Sequence, residues 1–141
     1  MSSRADQLQP AVDQAHQRTE DALAELAQQQ QQLAKAEHQL GELQRYRQEY
    51  AAGAGESSTV GALLNRQKFV ERIDQAILQQ RGEVARQQRL LDQVRGRWHK
   101  AHARESALDS VIEHHREEER KAADRHEQAE IDERMQYRRP R

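Results

Sequence analysis

The sequence contains no cysteine, only two prolines and only six glycines among 141 residues. Without cysteine, neither a disulfide nor a thiolate metal site can form. The absence also suits a reducing compartment, where disulfides are rare. Proline and glycine are the residues that interrupt helices most strongly, so their scarcity leaves few obstacles to long helices.

Apolar and aromatic residues are also scarce. Hydrophobic residues make up 35% of the chain, whereas globular domains usually hold roughly 45–50%. So little apolar material cannot fill a compact core, but it can line one narrow seam between helices. The apolar runs at 62–64 and 76–78 are three residues long, far too short to span a bilayer. We therefore expect no direct membrane insertion.

No excess of charge of one sign is present, although 33% of the residues are charged. The formal net charge is −1, so the chain lacks the basic excess that neutralises nucleic-acid phosphates. The first residues, MSSRADQLQPAVDQ, lack the apolar stretch of a secretory signal. These features predict a cytoplasmic protein that does not bind nucleic acid.

A heptad repeat runs through the first third of the chain. Steps of four and three residues starting at Leu8 meet mostly apolar positions, and the register never slips. The polar exceptions are Thr19, Gln29 and Arg47. The heptad positions are Leu8, Val12, Ala15, Thr19, Ala22, Leu26, Gln29, Leu33, Ala36, Leu40, Leu43, Arg47 and Tyr50.

A second repeat of the same kind begins at Leu63. Its polar interruptions are fewer than its apolar positions, and buried amides at such positions need hydrogen-bonding partners. The positions are Leu63, Arg66, Val70, Ile73, Ile77, Gln80, Val84, Gln87, Leu91, Val94, Trp98, Ala101, Glu105, Leu108 and Ile112. Two such repeats predict an all-α fold, a long antiparallel two-helix coiled-coil hairpin.

The boundaries of this single domain follow from helix-breaking and capping residues. We expect helix one over about 6–52 with Pro10 in its first turn, a bend over about 53–58, and helix two over about 59–136. Gly53 and Gly55 would supply left-handed cap geometry, and Ser57, Ser58 or Thr59 would cap helix two. A bend near residue 55 places opposite each other residues whose numbers sum to roughly 111.

Helix two is longer than helix one, so part of it should lack an intramolecular partner. We expect residues 113–136 to form a charged helical overhang, supported by spaced pairs such as Glu117 and Arg120. Residues 137–141, Tyr137 to Arg141, should form a frayed basic tail.

Four aromatic or apolar residues lie next to the predicted bend. Tyr46 and Tyr50 are four residues apart on helix one, and Phe69 and Ile73 are four apart on helix two. Tyr50 and Ile73 are heptad positions and should pack in the seam. Tyr46 and Phe69 are one residue off that register, so they should be partly exposed, where aromatic residues often anchor partners.

No feature of the sequence indicates catalysis. The glycines lack the strand–helix context of a phosphate-binding loop, and a two-helix hairpin supplies no pocket for a nucleophile and its base. His99 and His102 have a spacing that can chelate a metal, but no further ligand converges on them. We therefore predict no catalytic residue, no cofactor and no metal, and interpret the histidines as part of a solvated helix.

The ordered combination of motifs resembles the flagellar export protein FliJ family. It comprises Leu43-x-x-Tyr46-x-x-x-Tyr50, a Gly/Ser bend, and Asn65-Arg-Gln-Lys-Phe69-Val-x-x-Ile73-x-x-Ala76-Ile77-x-x-Gln80-Arg81. A lone Trp98 and the basic ending that contains Pro140 follow. The resemblance covers residues from about 8 to the end.

This resemblance implies a role in the flagellar type III export apparatus, and hence in flagellum biogenesis, motility and chemotaxis. Family members are similar to the central stalk of rotary ATPases, bind the hexameric export ATPase, contact the membrane export gate and bind export chaperones. The chain would then associate peripherally with the cytoplasmic face of the cell membrane. Gln80 stands where some members have a histidine. The positions that match the gate-contacting patch are Gln39, Leu43, Tyr46, Tyr50, Phe69, Ile73 and Ala76.

Two alternatives belong to other functional classes. One is a purely structural coiled coil, in which two copies would form a four-helix bundle. The polar seam positions argue against a thick dry bundle. The other is a general secretion chaperone, which would need a large apolar groove that the sequence does not indicate.

Overall fold

The computed structural model describes residues 3–53 and 59–138. These residues form two helices, α1 (Arg4–Ala52) and α2 (Val60–Arg138), and contain no strand. The predicted all-α hairpin of two antiparallel helices is confirmed. Of the predicted bend only Gly53 is described, and of the predicted tail only residues 137 and 138 are, both within α2.

Side-chain caps explain where the helices begin. The Ser3 hydroxyl accepts a hydrogen bond from the Asp6 N–H at 3.1 Å, and the Thr59 hydroxyl accepts one from the Ala62 N–H at 3.1 Å. Each cap satisfies a donor of a first turn that has no partner within its own helix. Gly53 does not have the expected left-handed conformation, since no described glycine has a positive φ. Gly55, Ser57 and Ser58 lie outside the described residues.

Pro10 lies inside α1 rather than in its first turn. Because Ser3 caps the helix, α1 starts at Arg4, two residues earlier than predicted. Proline has no N–H, so the carbonyl of Asp6 cannot receive its usual hydrogen bond from residue 10. The helix nevertheless continues without a break to Ala52.

The predicted heptad stripes are the buried faces of the helices. Contacts divide the chain into two units: Met1–Asp21 with His99–Arg141, and Ala22–Trp98. In each unit the buried side chains belong to the stripes or, for Ala5, to a continuation of the first stripe. Two stripe positions, Arg47 and Leu63, are exposed instead of buried. The buried residues are Ala5, Val12, Ala15, Thr19 and Ile112 in the first unit and Leu33, Ala36, Ile73, Ile77, Gln87, Leu91 and Val94 in the second.

The glutamine side chains of the seam in the second unit all have hydrogen-bonding partners. The Gln29 amide donates to the Gln87 side-chain oxygen at 2.6 Å, and the Gln87 amide donates to Glu83 at 2.8 Å. Gln80 donates to the Ala36 carbonyl at 3.0 Å. Amides that would be costly to bury alone therefore have partners across or along the seam.

The predicted pairing register is wrong. Within the second unit Glu25 accepts a hydrogen bond from Arg97 at 2.6 Å, whereas the prediction places residue 86 opposite Glu25. The Gln29–Gln87 bond joins residues whose numbers sum to 116 and the Glu25–Arg97 bond residues whose numbers sum to 122. The pairing is therefore displaced from the predicted sum of 111 by about five to eleven residues, which is about one and a half to three turns. The prediction assumed that both helices end level at the bend. Instead Tyr50 contacts Phe69, the tenth residue of α2, and the exposed Val60, Leu63 and Leu64 extend beyond this contact.

The unpaired part of α2 begins later than residue 113. In the first unit Arg116 donates to Gln9 at 3.1 Å, and the Ala5 N–H donates to Glu119 at 3.4 Å. Every described residue after Glu119 is exposed. The expected Glu117–Arg120 pair is present at 2.5 Å. In the segment 120–138, called the free segment below, every residue is exposed and none forms a hydrogen bond or ion pair with the described residues of α1.

An ion pair crosses the seam of the first unit. The His16 ring nitrogen Nδ1 hydrogen-bonds to Glu105, whose side chain is only 13% exposed. Glu105 raises the pKa of His16, and Glu20 and Asp109 add to the effect. The Thr19 hydroxyl and then His16 lower the pKa of Glu105. Each group therefore stabilises the charged form of the other.

These shifts predict a pH-dependent stability. The raised His16 pKa contributes stability below its ordinary value of 6.5, and that contribution is lost as pH rises through the raised value. The lowered Glu105 pKa contributes stability above 4.5, and that contribution is lost as pH falls through the lowered value. His16→Gln should therefore lower the melting temperature most between pH 4.5 and 6.5.

The measurement is thermal unfolding followed by circular dichroism across this pH range. His38→Gln is the matched control, because His38 pairs only along α1, with Glu42 at 3.2 Å. If the melting-temperature difference between His16→Gln and the unmodified chain does not vary with pH, the His16–Glu105 ion pair is not the source of the pH dependence.

Candidate partner-binding surface beside Tyr46

The residues predicted to contact the export gate all lie in the second unit, where α1 and α2 each supply part of the set. We call the surface they form the Tyr46 face. Four of its members each lie one residue before a heptad position of their own helix, so they share one flank of the seam. These four are Gln39, Tyr46, Phe69 and Ala76. The members are Gln39, Leu43, Tyr46 and Tyr50 of α1 and Phe69, Ile73 and Ala76 of α2.

Three aromatic rings of this face form a continuous stack. The ring centroids of Tyr46 and Tyr50 are 5.6 Å apart with the planes inclined by 24°, and those of Tyr50 and Phe69 are 4.5 Å apart at 31°. Tyr50 is half-buried between its neighbours. Tyr46 is 53% exposed and Phe69 39% exposed, so both ends of the stack offer aromatic surface to solvent.

The remaining members differ in how much surface they present. Ile73 is only 7% exposed, so it supports the face from below and has little area left for a partner. Leu43 and Ala76 are half-buried, and Gln39 is exposed. The structure therefore separates the set into outward-facing residues (Gln39, Tyr46 and Phe69) and residues that position them.

A groove of about 470 Å³ runs beside Tyr46. Gln80, from α2, closes one side, and its amide donates to the Gln39 side-chain oxygen at 3.2 Å and to the Ala36 carbonyl at 3.0 Å. These two bonds hold Gln80 in place and leave the groove with an apolar floor and polar walls. The lining residues are Gln39, Glu42, Leu43, Tyr46 and Gln80.

Carboxylates flank Tyr46, a feature that the sequence analysis missed. Glu42 lies four residues before Tyr46 and Glu49 three residues after it, and both line the adjoining surface together with Arg45. Side chains with these spacings share one helix face, so the pattern E-x-x-x-Y-x-x-E was the available signal. An aromatic centre with two carboxylates and one guanidinium around it suits an apolar group that carries a positive charge.

The described residues hold no cluster suited to a metal. Across 3–53 and 59–138, no three His, Asp or Glu side chains lie close enough together to bind one ion. Neither α1 nor α2 includes a stretch that is long and apolar enough to cross a membrane. What the Tyr46 face provides is exposed aromatic area, a shallow groove and fixed charges, which are the components of a protein-binding surface.

Comparison with known proteins identifies one family. The family described as Flagellar FliJ protein matches residues 3–141, which is nearly the whole chain. Comparison with curated proteins and with solved structures finds no match in either set.

The aromatic stack should stabilise this end of the second unit. Tyr50→Ala removes both ring contacts, and each aromatic pair contributes about 0.5–1.5 kcal/mol beyond its buried area. We expect a loss of roughly 1–3 kcal/mol in the free energy of unfolding for Tyr50→Ala, and a smaller loss for Tyr46→Ala, which removes one contact. Urea unfolding of both variants measures the difference. Equal losses would show that Tyr50 does not bridge the two rings.

Proposed function

Since the chain belongs to the flagellar FliJ protein family, which supports a role in flagellar protein export, we propose that it is non-catalytic and acts as the stalk of the export ATPase. In this role it binds the hexameric ATPase, promotes its assembly and activity, and connects it with the membrane export gate and the export chaperones. The observation that carries this proposal is the family match over residues 3–141.

The Tyr46 face is proposed as the docking surface for the cytoplasmic part of the export gate. Its support is the exposure of Tyr46 and Phe69 at the two ends of one aromatic stack. Rigid, partly exposed aromatic rings are typical anchors of protein interfaces, because they bury a large area at a small cost in side-chain entropy. Ile73 and Tyr50 would contribute by holding those rings in place.

The chemistry of the face also indicates what the gate segment should contain. The groove beside Tyr46 has room for one apolar side chain, with Leu43 on its floor. Glu42 and Glu49 would then favour a lysine or arginine next to that side chain. The proposed gate segment is therefore apolar with at least one adjacent basic residue.

The ATPase is proposed to bind the first unit and the free segment 120–138. This segment forms no hydrogen bond or ion pair with the described residues of α1, and all of its side chains are exposed. Among them are Ile131, Met135 and Tyr137, which have no packing partner in the hairpin seam. Peripheral association with the cytoplasmic face of the membrane would follow from gate binding.

A double substitution tests gate docking. Tyr46→Ala with Phe69→Ala removes both exposed rings and should weaken binding to the cytoplasmic part of the export gate by at least tenfold, about 1.4 kcal/mol or more. Helicity should not change, because both side chains are on the outside of the seam. Binding is measured by titration calorimetry and helicity by circular dichroism.

The matched control is Gln48→Ala with Leu78→Ala. Both residues line a separate groove of the same unit, so this variant should bind the gate as the unmodified chain does. Equal binding by all three proteins would overturn the assignment of the Tyr46 face.

A truncation tests the role of the free segment. Deletion of 121–141 should leave the melting temperature of the hairpin nearly unchanged, because the hydrogen bonds with α1 end at Glu119 and every described residue after it is exposed. Stimulation of ATP hydrolysis by the export ATPase should fall. Undiminished stimulation by the truncated chain would exclude the free segment from ATPase binding.

A further inference from the structure

The second unit has a groove that the Tyr46 face does not use. It holds about 520 Å³ and is lined by Arg47, Asp74, Ile77, Leu78 and Arg81, together with two glutamines of α1. On α2, Asp74, Leu78 and Arg81 each lie one residue after a heptad position, whereas Phe69 and Ala76 each lie one residue before one. The groove, called the Leu78 groove below, therefore lies on the opposite flank of the seam from the Tyr46 face.

Leu78 is an apolar side chain with almost no cover. It is 66% exposed, while Ile77 beside it is 6% exposed and belongs to the seam. A leucine this exposed forgoes much of the roughly 1.5–3 kcal/mol that burial would contribute. Single exposed leucines are common on protein surfaces, so Leu78 alone identifies no partner. The charged side chains around Leu78 indicate which partner fits the groove.

Two opposite charges flank Leu78 on one face of α2. Asp74 lies four residues before Leu78 and Arg81 three residues after it, so all three share that face. Asp74 pairs with Arg47 of α1, and both side chains remain nearly half exposed. Arg81 forms no ion pair or hydrogen bond with any residue that the structure describes. The groove therefore has one unpaired cation and one carboxylate with accessible surface.

The spacing of these charges is self-complementary. If two copies of α2 cross antiparallel with their Leu78 side chains at the centre, Asp74 of each copy lies about 6 Å from the centre along the axis, and Arg81 about 4.5 Å. Each Asp74 then comes level with Arg81 of the other copy, to within about 1.5 Å. The two contacts are reciprocal, as a two-fold symmetric interface requires.

We propose that the Leu78 groove is a self-association surface, in which a second copy of this chain docks antiparallel through Leu78. Each Leu78 inserts into the groove of the other copy and covers its Leu78 and Ile77. Each Arg81 pairs with Asp74 of the other copy, which remains bonded to its own Arg47. The interface is small and polar at its rim, so the complex is weak and depends on concentration. The Tyr46 face stays open in it.

The experiment measures the mass of the full chain by sedimentation equilibrium from about 1 µM to about 1 mM, the range of dissociation constants expected of weak complexes. The apparent mass should rise from 16.4 kDa toward twice that value. Leu78→Glu should abolish the rise. Leu23→Glu is the matched control, because Leu23 is also about half exposed (51%) in the same unit and should leave the rise intact.

Charge variants test the reciprocal contacts. Arg81→Asp alone places two carboxylates opposite each other, and Asp74→Arg alone places two guanidinium groups opposite each other, so each variant should stay monomeric. An equal mixture of the two variants restores an opposite-charge pair at both contacts and should regain the rise in mass. Thermal unfolding of each variant shows that the hairpin itself is intact.

Cross-linking provides an independent readout, because the chain contains no cysteine. Leu78→Cys should form a disulfide-linked dimer under oxidising conditions, since the two sulfur atoms meet at the two-fold axis. Leu23→Cys should form far less. A constant mass of 16.4 kDa, equal cross-linking of the two cysteine variants, or failure of the mixed charge variants would overturn the proposal. Binding of an acidic helix of another protein to the groove, without self-association, would overturn it as well.

These measurements use only the chain itself and no export component. They therefore test self-association separately from gate and ATPase binding. Tyr46→Ala with Phe69→Ala should associate as the unmodified chain does.

Discussion

Both helices depend on burying one narrow stripe of side chains against the other helix. A buried leucine, isoleucine or valine contributes about 1.5–3 kcal/mol, whereas an exposed charged pair spaced by three or four residues contributes about 0.2–0.5 kcal/mol. Residues such as Leu33, Ile77, Leu91 and Val94 therefore outweigh the many surface ion pairs. Where the stripe has no partner, as after Glu119, α2 is left with the weak local pairs alone.

The polar residues of the seam restrict how the two stripes can meet. Gln29 hydrogen-bonds to Gln87 across the seam, and Glu105 hydrogen-bonds to His16. A slip by one heptad would keep most apolar contacts but would break both of these hydrogen bonds across the seam. The polar interruptions thus reduce the apolar area of the seam and at the same time select one register.

The sequence was sufficient to predict the helices and their buried faces, because a 3.5-residue repeat leaves its mark on every turn. Val12, Ala15, Ile73 and Val94 are buried as the repeat predicted. The register was not predictable from the repeat, since every heptad offers an equivalent stripe. It depends on which polar seam residues pair with each other, such as Gln29 with Gln87, and the apolar repeat does not specify those pairs.

The site was predictable to a similar degree. Phase within the heptad was enough to place Tyr46 and Phe69 at the edge of the seam and Ile73 inside it. It did not reveal Glu42 and Glu49 around Tyr46, because charged residues occur all along the outside of both helices. The Leu78 groove could not be predicted from the sequence for a related reason. The α1 residues that line it are recognised only once the register that brings Arg47 to Asp74 is known.

The free segment continues a helix whose preceding turns are packed against α1. Starting a helix is its unfavourable step, since several residues must be ordered for the first hydrogen bond, whereas adding a residue to an existing helix is nearly neutral. The packed turns up to Glu119 serve as a permanent nucleus for residues 120–138. A partner that binds this segment as a helix needs to offset only the small free-energy cost of extending an existing helix. That cost depends on ionic strength, because salt screens the charged pairs within the segment.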